Sequence, residues 1–132
     1  MSNASQDSTA IAVVRAHIDA WSYHDWEKTR ELLAPDVHAV VTTTDIMRVT
    51  ADLTGIDNYM VPKIKAAQLI EPGSAHVISA TGDESNALVL VTMRIGLGPG
   101  GAMVTLARAI LILLDENQKI KEERDEYFIL SE

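Results

Sequence analysis

The sequence predicts an α+β domain in which a curved sheet of antiparallel strands wraps helices placed at the N-terminal end. Helical periodicity is confined to the first half of the chain, and everything from His76 onward reads as strand and turn. The chain then closes on a long apolar strand, Ala102 to Leu114, a polar turn, Asp115-Glu116-Asn117-Gln118, and a charged strand, Lys119 to Leu130.

Each element has a local reason. Ser8 or Thr9 can cap a helix of about four turns, in which Ile11, Val14, Ile18 and Trp21 recur at helical spacing. Asp25 caps a second, shorter helix from Trp26 to Leu33, and Pro35 stops it. Val37 to Thr43 is a β-branched strand signal, whereas Thr44 to Thr54 shows no clear period. Thr54-Gly55-Ile56-Asp57 opens a third helix with Ile56, Met60, Ile64 and Ala67 on one side. Pro62 inside it predicts a kink or a late start. Strands follow from His76 to Thr81 and from Asn86 to Leu97, joined by a Gly82-Asp83-Glu84 turn and followed by a Gly98-Pro99-Gly100-Gly101 loop. Residues 1–8 are expected to be a flexible N-terminus and residues 9–132 a single domain.

Composition narrows the function classes. With 132 residues and 47% hydrophobic content the chain builds one core. Its 11 basic residues against 19 acidic ones, with no basic run, argue against nucleic acid and anionic membrane surfaces as partners. No apolar run approaches the ~20 residues of a membrane span. The polar first ten residues carry no secretory signal, so a soluble, cytoplasmic protein is expected. Without cysteine there is no thiol chemistry, and His17, His24, His38 and His76 lack metal-ligand spacing, so no metal is expected. The glycine-rich loop is not followed by a helix that could receive a phosphate, and no cofactor is expected.

The candidate chemistry lies on the last strands. Glu123, Asp125 and Tyr127 stand at every second position and share one strand face, so the two acids face water, sit paired, or line a cavity that uses them. Arg94 sits among Leu88, Leu90 and Thr92 and needs a partner, either as a structural ion pair with Asp125 or Glu123 or on a substrate. Arg108 interrupts an apolar strand, shares a face with Ile110 and Ile112, and calls for a counterion on the neighbouring strand. His17 falls between Val14 and Trp21 on the buried stripe of the first helix, as a core residue or a proton donor. Trp21, Trp26, Tyr59 and Met60 have helical core spacing and either fill the core or line a cavity. His38 reads as surface.

The run Asp25-Trp26-Glu27-Lys28-Thr29-Arg30-Glu31-Leu32-Leu33-Ala34-Pro35-Asp36-Val37, the Gly55-Ile56-Asp57 opening of the third helix, and Arg124-Asp125 followed by Tyr127 and Phe128 resemble the nuclear transport factor 2-like superfamily. Its small bacterial members include ketosteroid isomerases, SnoaL-type polyketide cyclases and limonene epoxide hydrolases. The resemblance implies a cone, a bent mixed or antiparallel sheet closed by helices around an apolar pocket, usually in a homodimer. It also implies Asp125, His17 and Arg94 as catalytic residues, with Trp21, Tyr59, Arg108, Glu123 and Tyr127 around the substrate. The family positions are only partly filled. Gly96, Ala39 and Val41 stand where the epoxide hydrolases carry polar groups, and Val41 and Ile110 where the isomerases carry a base and a second oxyanion donor.

Two function classes follow. One is a cofactor-independent isomerase, cyclase or hydrolase acting on a small hydrophobic carbonyl or polyketide-like molecule, with Asp125 as base, His17 as donor and Arg94 orienting Asp125. The other is a non-catalytic ligand-binding or dimerisation module that has kept the cone and lost the site. An apolar outer face on the Leu88-to-Ile95 and Met103-to-Leu113 strands predicts a homodimer.

Overall fold

The computed structural model describes residues 7–43, 48–96 and 101–130. The helices α1 (Thr9–Ser22) and α2 (Trp26–Glu31) come first, then strands β1 (Leu33–Thr43) and β2 (Arg48–Thr54) and helix α3 (Ile56–Ala67). Strands β3 (His76–Gly82), β4 (Asn86–Gly96), β5 (Met103–Leu114) and β6 (Ile120–Ile129) complete the chain. The expected α+β architecture is present: a six-stranded curved, unclosed sheet in the order β2-β1-β6-β5-β4-β3, with helices against its concave face. The sheet is mixed, because β1 and β6 pair in parallel and the other neighbours are antiparallel.

Local chemistry sets the element ends. The Ser8 hydroxyl accepts from the Ile11 N–H and caps α1, and the Asp25 carboxylate accepts from the Lys28 N–H and caps α2. Gly55 takes a φ of +91° between β2 and α3, a conformation in which a side chain would be strained.

Three expectations about elements are corrected. The second helix ends at Glu31 and β1 begins at Leu33, so Pro35 lies inside a strand and does not terminate the helix. No ladder partner faces residues 34–37, between the Leu33–Ile120 and His38–Glu122 pairs, so the missing proline N–H breaks no sheet bond. The segment read as having no period contains β2, in which Val49, Ala51 and Leu53 alternate with polar residues. The third helix begins at Ile56 and not late, at Pro62. It runs unbroken through that residue, which lies on an exposed side, where the Asn58 carbonyl it leaves unbonded can meet solvent. Most of the Gly98-Pro99-Gly100-Gly101 loop, like residues 1–6 of the N-terminal segment, lies outside the described residues.

The core sits between the concave face and α1 and α3. Val14, Ile18 and Trp21 of α1 pack with Val89, Val91 and Met93 of β4 and with Ile110 and Ile112 of β5. The convex face alternates with this one. It carries Leu88, Leu90 and Arg94 on β4, Ala109 and Leu111 on β5, and Glu122, Arg124 and Glu126 on β6. On it, His38 spans three strands: its Nε2 lies 2.8 Å from Asp52 of β2 and its Nδ1 3.1 Å from Glu122 of β6. Among the described residues no helix is long and apolar enough to cross a membrane.

Candidate functional site

Three short-range spacings bring polar side chains to one place inside the cone. On α1, His17 and Trp21 are one turn apart, as are Tyr59 and Lys63 on α3; on β6, Glu123 and Asp125 are two apart. All six point inward, and β5 adds Arg108, which stands opposite Tyr127 of β6. Ile110 and Val41 flank Asp125 on its two neighbouring strands.

Glu123 is the hub. Its Oε1 accepts from the Tyr59 hydroxyl at 2.6 Å and from His17 Nε2 at 3.0 Å, with the imidazole proton assigned to that nitrogen. Its Oε2 lies 3.6 Å from Lys63 Nζ. The Arg108 guanidinium donates to Asp125 Oδ2 at 2.7 Å. Lys63 Nζ lies 5.2 Å from the centre of the Trp21 ring and 5.1 Å from that of Tyr59, and the Arg108 guanidinium carbon is 5.5 Å from Trp21.

Burial and charge push these groups apart in acidity. Burial works to raise Glu123, yet Lys63 and the contact with His17 hold it well below the usual carboxylate range. Burial, reinforced by the Glu123 charge and opposed by Arg108, pushes Asp125 up to about 8. Near neutrality Asp125 therefore keeps its proton while Glu123 stays charged. Burial lowers His17, which stays neutral, raises Tyr59 well above the phenol range, and pulls Lys63 down against the attraction of Glu123.

Above this cluster opens a cavity of about 410 Å³. Ala39, Val41, Ala51 and Leu53 form one wall, and Ala66, Leu69, Ile70 and Ile95 lie across from it. Its polar wall comes from Trp21, Tyr59, Lys63, Arg108, Asp125 and Tyr127. The size falls within the range of small-molecule sites.

Of the residues singled out from sequence, Asp125, Trp21, Tyr59, Arg108 and Tyr127 line this cavity. His17 and Glu123 do not: both are fully buried behind the wall, where they support Tyr59 and Asp125. Arg94 is a correction. It projects from the exposed convex face, because β4 turns Ala87, Val89, Val91 and Met93 inward, and β5 separates β4 from β6. The arginine that meets Asp125 is Arg108 on the adjacent strand. Lys63 is the residue that sequence reasoning missed. Its signal was the one-turn step from Tyr59, which puts both on the buried side of α3 with Met60 and Ala67. Among the described residues no group of three or more metal-ligating side chains is gathered.

Comparison with solved structures supports the fold. A protein from Kribbella flavida DSM 17836 superposes with a TM-score of 0.71 at 16% identity, over 94% of this chain and 88% of that one. A protein of ketosteroid isomerase-like fold from Catenulispora acidiphila DSM 44928, solved with trimethylamine, gives 0.69 at 16% identity, over 88% and 85%. A candidate SnoaL-like polyketide cyclase from Shewanella denitrificans OS-217 gives 0.69 at 12% identity, over 89% and 88%. None of the curated proteins matches the chain. Residues 14–123 match the family model of the SnoaL-like domain, from the first helix to the buried hub Glu123, and the chain belongs to that family.

Proposed function

We propose that the cavity binds one small hydrophobic molecule and that Asp125 exchanges a proton with it, in a cofactor-independent isomerisation, cyclisation or hydrolysis of a carbonyl or polyketide-like compound. One observation carries this reading: a buried carboxyl titrating at about 8 stands in the wall of an otherwise largely apolar cavity. A carboxyl poised near the working pH can give up a proton and take one back. In its protonated form Asp125 donates to the carbonyl oxygen of the ligand; once ionised, it recovers a proton from the neighbouring carbon. Arg108 fixes the orientation of the carboxyl, and Lys63 and His17 behind it keep Glu123 charged, which holds the proton on Asp125. The candidate cyclase among the structural neighbours is consistent with such chemistry.

The test has two parts. Steroids, polyketide fragments and terpenoids are screened by thermal shift, and any stabilising compound is then followed for turnover by mass spectrometry. Turnover by the wild type that is lost in Asp125→Asn, with binding retained, is the expected result. A competing reading, a binding module without turnover, draws on Val41 and Ile110, which leave Asp125 without a second acid or base on either adjacent strand. Binding with no turnover in the wild type selects it.

The convex face supports a homodimer. Leu88 is 47% exposed and Ile78 59%, beside Leu90, Ala109 and Leu111. Exposed apolar area of this kind usually marks an interface. Sedimentation equilibrium at tens of micromolar, roughly the range in which stable interfaces persist, is expected to give the mass of two chains; a single-chain mass refutes the dimer.

A further inference from the structure

The cavity grades from a closed polar floor to an open apolar mouth. Along the inner face of β6 its lining residues run Asp125, Tyr127, Ile129, from buried through half-buried to 52% exposed. Helix α3 and the turn after it repeat the gradient, from the buried Tyr59 to Leu69, which is 50% exposed. Among the described residues, every exposed one in the lining, Pro62, Ala66, Leu69 and Ile129, is apolar, and the charged ones are all more deeply buried. The mouth stands on a fixed frame. The Gly96 N–H donates to the Leu69 carbonyl at 2.8 Å, and the Leu130 N–H donates to the Thr105 carbonyl at 2.9 Å, which ties both rim residues to the ends of β4 and β5. Aliphatic side chains held half in water around a ligand-sized opening gain from whatever apolar group passes between them.

Resting on the reading of the cavity as a ligand site, we propose that the ligand is a linear one: its carbonyl end lies at Asp125 and a flexible alkyl chain runs along β6 and leaves the cone between Leu69 and Ile129. The step from Asp125 to Ile129 covers roughly 13 Å of extended strand. An extended chain of about ten carbons, with C–C bonds of ~1.5 Å, spans it. A compact ring system of equal carbon count sits wholly within the walls and leaves the rim in water, whereas a chain covers the floor, the walls and the rim in turn. Beyond the rim the protein makes no demand on the chain, so longer homologues fit without a clash.

The experiment measures binding of hexan-2-one, octan-2-one, decan-2-one and dodecan-2-one by calorimetry, beside 2-decalone, a bicyclic ketone with as many carbons as decan-2-one. Affinity is expected to rise about two- to fourfold per added methylene as far as decan-2-one, somewhat below the full transfer value because a flexible chain is ordered on binding. Dodecan-2-one is expected to bind no more weakly than decan-2-one, and 2-decalone at least about tenfold more weakly. The double variant Leu69→Ser, Ile129→Ser, at two exposed positions, is expected to weaken dodecan-2-one at least about fivefold more than hexan-2-one. Affinity that stops rising at octan-2-one, 2-decalone bound as tightly as decan-2-one, or a rim variant that weakens short and long ketones alike overturns the inference and leaves the proposed function standing. Binding of none of the ketones, linear or bicyclic, overturns both.

Discussion

Two histidines in this molecule face carboxylates and respond in opposite ways. His17, inside the cone, lies 3.0 Å from Glu123 and has its pKa lowered, chiefly by burial. His38, on the convex face, lies 2.8 Å from Asp52 and 3.1 Å from Glu122 and has its pKa raised, chiefly by the hydrogen bond to Asp52. The partners are alike in kind, so the surroundings decide the sign. In the core, desolvation outweighs the attraction of a carboxylate that is already shared with Tyr59 and Lys63; at the surface little desolvation opposes the attraction. The inner cluster is thus built to hold charge in fixed places, and the outer one to follow the solvent.

That contrast is tested first where it is largest. Glu123→Ala strands Lys63, His17 and the Tyr59 hydroxyl without their carboxylate and is expected to destabilise the fold by about 3–5 kcal/mol, measured by urea unfolding. Adding Lys63→Met to it should restore part of the loss. A cost below about 1 kcal/mol, typical of an exposed pair, would show that the hub is not dry.

Next in size is the pair on the cavity wall. Asp125→Ala leaves the Arg108 guanidinium buried and is expected to cost about 3 kcal/mol, with Arg108→Leu recovering much of it, a coupling of about 1–3 kcal/mol in a double-mutant cycle. The same cycle between Asp125 and Arg94 should be additive within about 0.5 kcal/mol, since Arg94 is on the other face.

A smaller effect follows from titration. Asp125 binds its proton more tightly folded than unfolded, so the stability linked to it is complete below the ordinary carboxylate range and is lost as pH rises through about 8. Stability should fall by about 1 kcal/mol between pH 7 and 8, and Asp125→Asn should flatten that slope. His17 runs the other way: lowered in the fold, it costs stability as pH falls below the ordinary imidazole range. The smallest effect belongs to the convex face. His38→Gln is expected to cost under about 1 kcal/mol, and less in high salt, because Asp52 is solvent-exposed and His38 and Glu122 are partly so. What His38 contributes is present below the ordinary imidazole range and lost as pH rises through its raised value.

The inner face of β6 was legible because alternation is a local property: Glu123, Asp125 and Tyr127 had to point the same way, and they point inward. The choice between Arg94 and Arg108 was not legible. Both interrupt apolar strands, and only the strand order, fixed by long-range pairing, puts β5 and not β4 beside β6. Lys63 was hidden by the expectation that lysine faces water. The stripe read on α3 ran through Ile56, Met60, Ile64 and Ala67, whereas the buried one turns slightly around the helix to take in Tyr59 and Lys63. β2 escaped because its alternation is short and borders residues outside the described structure.

The parallel pairing of β1 with β6 has a consequence for the order of assembly. Strands β2 and β1 form one ribbon and β5, β4 and β3 another, each joined by antiparallel neighbours, and among the described residues β6 is the only strand that links them. Its pairing with β1 spans most of the chain, the kind of contact that closes slowly because a long loop must be ordered first. Glu123 and Asp125 travel on that strand. The inner charges therefore enter the cone in the same event that joins the two halves of the sheet, and a chain that has not inserted β6 has neither a finished sheet nor a carboxylate to meet its buried cations.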